Sequence, residues 1–353
     1  MINVTKTFFP PLKEYRKHLR RIWGNEWLTN RGELVQELEM KLKNRFKVPY
    51  LTLTTNGTLP IQIALKVLAN GGEVITTPFS YIATTSAIIW ENCTPVFVDI
   101  DPDYLTIDES TIESAITSKT TAILATHVFG NPCAIELIEN IAEKHKLKVI
   151  YDAAHCFGVE YDGQSIFNYG DLSTCSFHAT KIFHTGEGGA FFTQNAKLHE
   201  ELFYGHNFGH KGPEEFYGVG INAKMSELQA AMGLSVLPYM EDIMEARRYV
   251  VEFYDRNLDF SRMQRLKIRE KTEWNYSYYP VILESEDALL RSLKRLKDRN
   301  IYPRRYFYPS LNTVDFAGKI KMEISEDISS RILCLPLYKG LKDTDLKLIV
   351  DCI

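Results

Sequence analysis

The chain has 353 residues, of which 45% are hydrophobic and 24% charged, and its formal net charge is -4. This size and balance predict two unequal domains with ample core, and the weak acidity supplies no basic field for nucleic acid or anionic lipid. No apolar run nears membrane-span length and Met1-Ile2-Asn3-Val4-Thr5-Lys6 lacks a signal-peptide pattern, so a soluble cytoplasmic protein with no membrane partner is expected.

After an N-terminal helical segment, short β-rich runs alternate with helical patterns from about residue 50 to 195. The predicted strands are Tyr50 to Thr54, Glu73 to Thr76, Pro95 to Val98, Ala122 to Thr126, Lys148 to Tyr151, Thr174 to Phe177 and Ala190 to Thr193. Helices are predicted over Leu59 to Leu68, Ile82 to Trp90 and Ile135 to His145. Such alternation implies an α/β fold with a mainly parallel sheet, helices on both faces and a ligand beyond the carboxyl ends of the strands. Residues 224 to 258 are expected to form one long helix. A strand at Ser277 to Leu283, a helix at Glu286 to Asn300 and an apolar run at Ile332 to Leu337 then suggest a smaller α+β domain. The expected division is residues 1–240 and 241–353. Cys93, Cys133, Cys156, Cys175, Cys334 and Cys352 form no CxxC pair and no metal-ligand spacing, and are expected to be buried free thiols.

Chemistry concentrates at strand ends. A β run closes in Ser176-Phe177-His178-Ala179-Thr180-Lys181 and is followed by Gly186-Glu187-Gly188-Gly189. Burial depresses a lysine pKa, which suits a Schiff-base nucleophile and proton carrier, although a solvated loop lysine fits the same position. Lys148-Val149-Ile150-Tyr151-Asp152 ends an apolar strand in a carboxylate, which either faces a pyridine nitrogen or caps a helix. His155 would lie close to the same ring. Thr54-Thr55-Asn56-Gly57-Thr58 leads from a strand into a helix start, where exposed N–H groups favour phosphate, and Ser176 could add a hydroxyl. Neither this turn nor Gly218-Val219-Gly220-Ile221-Asn222 matches a nucleotide-binding glycine motif. Tyr81, after the proline turn Thr77-Pro78-Phe79-Ser80, either stacks on a flat heterocycle or belongs to the core.

Together these segments resemble the sugar aminotransferases of the DegT family, most specifically in Ser-Phe-His-Ala-Thr-Lys followed by Gly-Glu-Gly-Gly, and the resemblance runs from Asn25-Glu26-Trp27-Leu28-Thr29 to the region of Arg304. It implies the aspartate aminotransferase fold (fold type I), with a seven-stranded sheet and a small C-terminal domain. Pyridoxal 5'-phosphate is the implied cofactor, passing through pyridoxamine phosphate. The resemblance makes Lys181 the catalytic Schiff-base lysine, pairs Asp152 with the pyridine nitrogen, stacks Tyr81 on the ring and gives the phosphate to Gly57, Thr58 and Ser176. His155 stands where many members carry glutamine. Asn222 matches a residue that reaches the phosphate of the neighbouring subunit, which implies a homodimer with shared sites.

By the same resemblance L-glutamate gives its amino group to the cofactor and a nucleotide-linked keto sugar receives it. Two segments, Asn207 to Phe216 with His210 and Lys211, and Tyr302 to Pro309 with Arg304, Arg305 and Tyr306, are candidates for contact with the sugar diphosphate and its base. Thr126-His127-Val128-Phe129-Gly130-Asn131-Pro132-Cys133 looks most like the branch that converts dTDP-4-keto-6-deoxyglucose to dTDP-4-amino-4,6-dideoxyglucose. Amination at C3 is the nearest competitor. A sugar dehydratase on this scaffold carries histidine in place of the lysine, so Lys181 speaks against it. A non-catalytic regulator would not need the full set of site residues. A surface polysaccharide such as the lipopolysaccharide O-antigen is the pathway the resemblance suggests.

Overall fold

The computed structural model describes all residues from Met1 to Ile353. Two N-terminal helices, α1 (Leu12–Asn25) and α2 (Glu33–Phe46), lead into the first sheet strand, β1 (Tyr50–Thr54). Helix α3 (Leu59–Leu68), strand β2 (Glu73–Thr76), helix α4 (Ile82–Trp90) and strands β3 (Thr94–Phe97) and β4 (Thr120–Thr126) follow. Helix α5 (Ile135–His145) then crosses to β5 (Lys148–Asp152), and β6 (Leu172–Ser176) and β7 (Gly189–Thr193) complete the sheet. Its order is β1-β7-β6-β5-β4-β2-β3; β7 runs antiparallel to both neighbours and all other pairings are parallel.

A sheet covered on both faces needs apolar residues in both phases of each strand. In β4, Ala122 and Leu124 enter one core while Ile123 and Ala125 enter the other. The same split divides Ile150 from Val149 and Tyr151, and Phe191 from Ala190 and Phe192. Each of the seven predicted strands is present with ends within about two residues, the usual scatter of such assignments.

The expected helix over residues 224 to 258 is two helices, reached after α6 (Ala196–Gly205): α7 (Glu227–Val236) and α8 (Met240–Asn257), joined by the tight turn Leu237–Tyr239. Pro238 is the reason. It lacks the N–H that would bond Leu234 and its ring crowds that carbonyl, yet it fits the first turn of a new helix. Helix α8 carries Met240 and Ile243 in the core beneath the large sheet and Val250, Val251 and Tyr254 in a separate C-terminal core. That second core lies on the antiparallel sheet β8-β9-β10 (Met263–Arg265, Tyr279–Leu283, Ile332–Leu335), with α9 (Glu286–Asp298) before β10. The chain start joins it, because Ile2 and Asn3 pair in parallel with Ile301 and Tyr302. All six cysteines are buried and unpaired. No helix is long and apolar enough to cross a membrane.

Candidate active site

The carboxyl ends of parallel strands present unpaired backbone and the last side chains of each strand to one edge of the sheet. Here β1, β4, β5 and β6 deliver Asn56, Gly57, Thr58, Thr126, Asp152, His155, Ser176 and Lys181 to one cavity of about 330 Å³. Tyr81 closes it from the start of α4, and Tyr278, Arg304, Tyr306 and Phe307 close it from the C-terminal domain.

Asp152 is buried at the last position of β5. Its Oδ2 accepts a hydrogen bond from Thr84 Oγ1 at 2.7 Å and its Oδ1 accepts from the Ala154 N–H at 3.1 Å. No helix begins there, so the carboxylate is not a helix cap. Lys181 follows β6 in a turn closed by its own N–H donating to the His178 carbonyl at 2.8 Å. Burial pushes its pKa below the usual 10.5, and the nearby Asp152 carboxylate partly opposes that shift. The amine stands 6.0 Å from the centre of the Tyr278 ring.

The turn after β1 differs in detail from the expected row of free N–H groups. Asn56 Oδ1 takes the N–H groups of Thr58 and Leu59, both at 2.9 Å, so the side chain caps the start of α3. The Gly57 N–H keeps no acceptor in the chain. Gly57 also lies hard against β6, where a Cβ would approach Ser176 Cβ to 2.6 Å. Gln229 Nε2, in a capping box at the start of α7, donates to the carbonyls of Thr55 at 3.0 Å and Glu187 at 2.8 Å. One side chain thus ties the turn after β1 to the loop after Lys181.

His155 is buried and its Nδ1 accepts the Phe129 N–H at 3.1 Å. A ring nitrogen that accepts carries no proton, so the neutral ring bears its hydrogen on Nε2. Burial and the neighbouring Lys181 hold its pKa well below the usual histidine range, which keeps the ring neutral. Tyr81 is 59% exposed, which removes it from the core and leaves it lining the cavity.

Some expected residues lie elsewhere. Asn222 is exposed and pairs through its backbone with Asn207, outside this cavity. His210 and Lys211 also lie outside it, in the loop where His210 bridges Phe216. Arg304 and Tyr306 line the cavity, but Arg305 turns away to Glu286 and the Ser330 carbonyl. Phe307, within the expected segment Tyr302 to Pro309, also lines the cavity, whereas Thr84, Tyr278 and Gln229 were not expected. Thr84 alone left a signal, three residues after Tyr81 on the first turn of the same helix; the others arrive through tertiary packing.

A sequence profile of the DegT/DnrJ/EryC1/StrS aminotransferase family matches residues 12–353. The chain is 41% identical over 361 aligned residues to the dTDP-4-amino-4,6-dideoxy-D-glucose transaminase of Shigella dysenteriae, covering 100% of this chain and 98% of that one. It is 38% identical to the protein of the same name from Escherichia coli, over 97% of this chain and 95% of the other. Among solved structures, that of DesI in the presence of its TDP-sugar product superposes with a TM-score of 0.94 at 30% identity, over 99% of this chain and 91% of DesI.

Proposed function

The chain belongs to the DegT/DnrJ/EryC1/StrS aminotransferase family, and we propose that it moves the amino group of L-glutamate to dTDP-4-keto-6-deoxy-D-glucose, forming dTDP-4-amino-4,6-dideoxy-D-glucose. It is a pyridoxal phosphate-dependent sugar aminotransferase. The observation that carries the choice of sugar is the 41% identity, across the entire chain, to a transaminase of that name.

The residues present fit the cofactor. Lacking a Cβ, Gly57 packs directly against Ser176, which sets its free N–H near the Ser176 hydroxyl as donors for a phosphate. The buried Asp152 carboxylate offers an anion for a pyridinium, and the partly desolvated Lys181 offers an amine of lowered basicity. When bound, pyridoxal phosphate supplies an electron sink for the carbon that loses or gains a proton. In this reading Gly57, Thr58 and Ser176 would hold the phosphate, and Tyr81, lining the same cavity, would supply an aromatic face for the ring. Thr84 holds the Asp152 carboxylate on its side of the ring. His155 donates its Nε2 proton towards the phenolic oxygen, which a glutamine amide would also do. Lys181 would be the amine that holds the cofactor aldehyde and, when free, the group that carries the proton to and from the reacting carbon. Buried Tyr278 and Phe307 line the cavity with aromatic surface that would limit water at that transfer.

The working unit in this reading is a homodimer in which Asn222 of one subunit completes the phosphate site of the other. Support comes from the exposed apolar residues of its segment: Phe216 is 66% and Val219 84% exposed. Six reduced, buried cysteines suit a cytoplasmic setting, and the product suits a surface polysaccharide such as the O-antigen.

The test is a glutamate-coupled assay against 4-keto and 3-keto sugars carried on dTDP, UDP and GDP. The expected outcome is selective turnover of the dTDP-4-keto sugar, with the amine at C4 of the product by NMR. Preference for a 3-keto sugar would replace this reading, and turnover of keto acids alone would end it.

A further inference from the structure

Phe129 occupies the left-handed region, with φ 57°, in the turn Val128–Gly130 after β4. That conformation is strained for a bulky residue and persists only when neighbours hold it. Its peptide groups are engaged on both sides. The Phe129 N–H donates to His155 Nδ1, while its carbonyl accepts from Trp274 Nε1 at 2.8 Å and Ser277 Oγ at 2.6 Å. Asn275, between those donors, gives its Nδ2 to the His155 and Phe157 carbonyls at 2.7 and 3.0 Å. Gly130 follows at φ 79°, and a Cβ there would come within 2.6 Å of Asn275 Oδ1. Arg247 of α8 fixes the donor segment itself by donating to the carbonyls of Tyr276, at 2.8 Å, and Ser277. A segment that leads into β9 of the C-terminal domain therefore governs a peptide in the large domain.

We propose that Trp274 and Ser277 are positioning residues that hold Phe129 in its strained conformation through its carbonyl, so that the N–H on the other side of its Cα fixes the tautomer of His155, and thereby the proton that His155 offers to the cofactor. The last clause rests on the function proposed above; the first does not. Without the two donors the Phe129 carbonyl would be buried and unpaired, and the residue would gain by leaving its strained φ, which turns the preceding peptide and its N–H. His155 Nδ1 would then lose its donor, and either ring nitrogen could carry the hydrogen.

The test separates the two layers. In the protein without cofactor, ¹⁵N-resolved spectra of the histidine rings should show His155 as the Nε2–H tautomer. The double variant Ser277→Ala/Trp274→Phe should convert that signal to a mixture, and Ser277→Thr/Trp274→Phe, which keeps a hydroxyl donor, should recover it. An unchanged tautomer in the folded double variant would overturn the proposal. With pyridoxal phosphate bound, losing a donor to the phenolic oxygen should raise the pH at which the visible absorbance titrates, by about half to one unit. In a His155→Leu background, which has no donor for the phenolic oxygen, the double substitution should give no such shift. An equal shift there would show that the two donors act independently of His155 and would overturn the link to the cofactor. A tautomer change without a shift in absorbance would leave the positioning role standing and remove His155 from the phenolic oxygen.

Discussion

The free amine of Lys181 is the form that can bond an aldehyde, and two opposed effects set how much of it exists. Burial disfavours the ammonium and lowers the pKa, while the Asp152 carboxylate favours the ammonium and raises it. The rate at which apoprotein takes up pyridoxal phosphate should therefore rise with pH and level off below the 10.5 of an ordinary lysine. Replacing Asp152 by Asn removes the influence that favours the charged form, so the midpoint should move lower still. Stopped-flow absorbance across a pH series checks both statements. A midpoint near 10.5 would mean that Lys181 is solvated before the cofactor arrives, and an upward shift in Asp152→Asn would reverse the assigned sign. What made Lys181 and Asp152 visible in the sequence is their place at the ends of apolar runs, where a charged residue conflicts with burial. Phe129 and Ser277 gave no such sign, because a strained φ and a hydroxyl bonded to a remote carbonyl leave no trace in local composition.

Helix α7 acts as a fastener for the large domain. Glu227, at its first turn, is buried and accepts the N–H groups of Leu34 and Val35 at 2.8 and 3.0 Å, capping α2 from outside that helix. Gln229, two positions on, joins the turn after β1 to the loop after Lys181. Glu227→Gln keeps the shape but exchanges one acceptor oxygen for an NH₂ facing an N–H. It should cost about 1–3 kcal/mol, read as a lower denaturation midpoint, with pyridoxal phosphate affinity falling as the turn loosens. Loss of stability with unchanged affinity would detach the cap from the site. The strands were legible because each is a short apolar run ended by a turn, and seven of them alternate with crossover helices. Pro238, which splits the expected helix over residues 224 to 258, stood in the sequence, but continuous apolar periodicity on both sides hid its effect. The C-terminal domain was legible only in outline. Its sheet joins strands far apart in the chain, and its link to Ile2 and Asn3 has no local signature.

At the scale of the whole molecule, the position of Asn222 decides how many chains make one site. The resemblance proposed for it is to a phosphate-contacting residue, yet it lies on an exposed segment outside the cavity that holds Lys181. A shared site reconciles the two facts, and closed two-fold symmetry would then give each dimer two such sites. Lys181→Ala should abolish turnover by removing the amine, and Asn222→Asp should cripple it by setting a carboxylate against the phosphate. A mixed dimer of these two chains contains one site with both defects and one with neither. Random re-association from equal amounts gives about half mixed dimers, so about a quarter of wild-type activity should return. Mixing without dissociation should return none, which controls for contamination. If re-associated mixtures show only the average of the two parent proteins, Asn222 serves its own chain or no site at all, and the shared-site reading fails. The same preparation also tests the dimer, because a monomeric mixture could never regain activity by exchange.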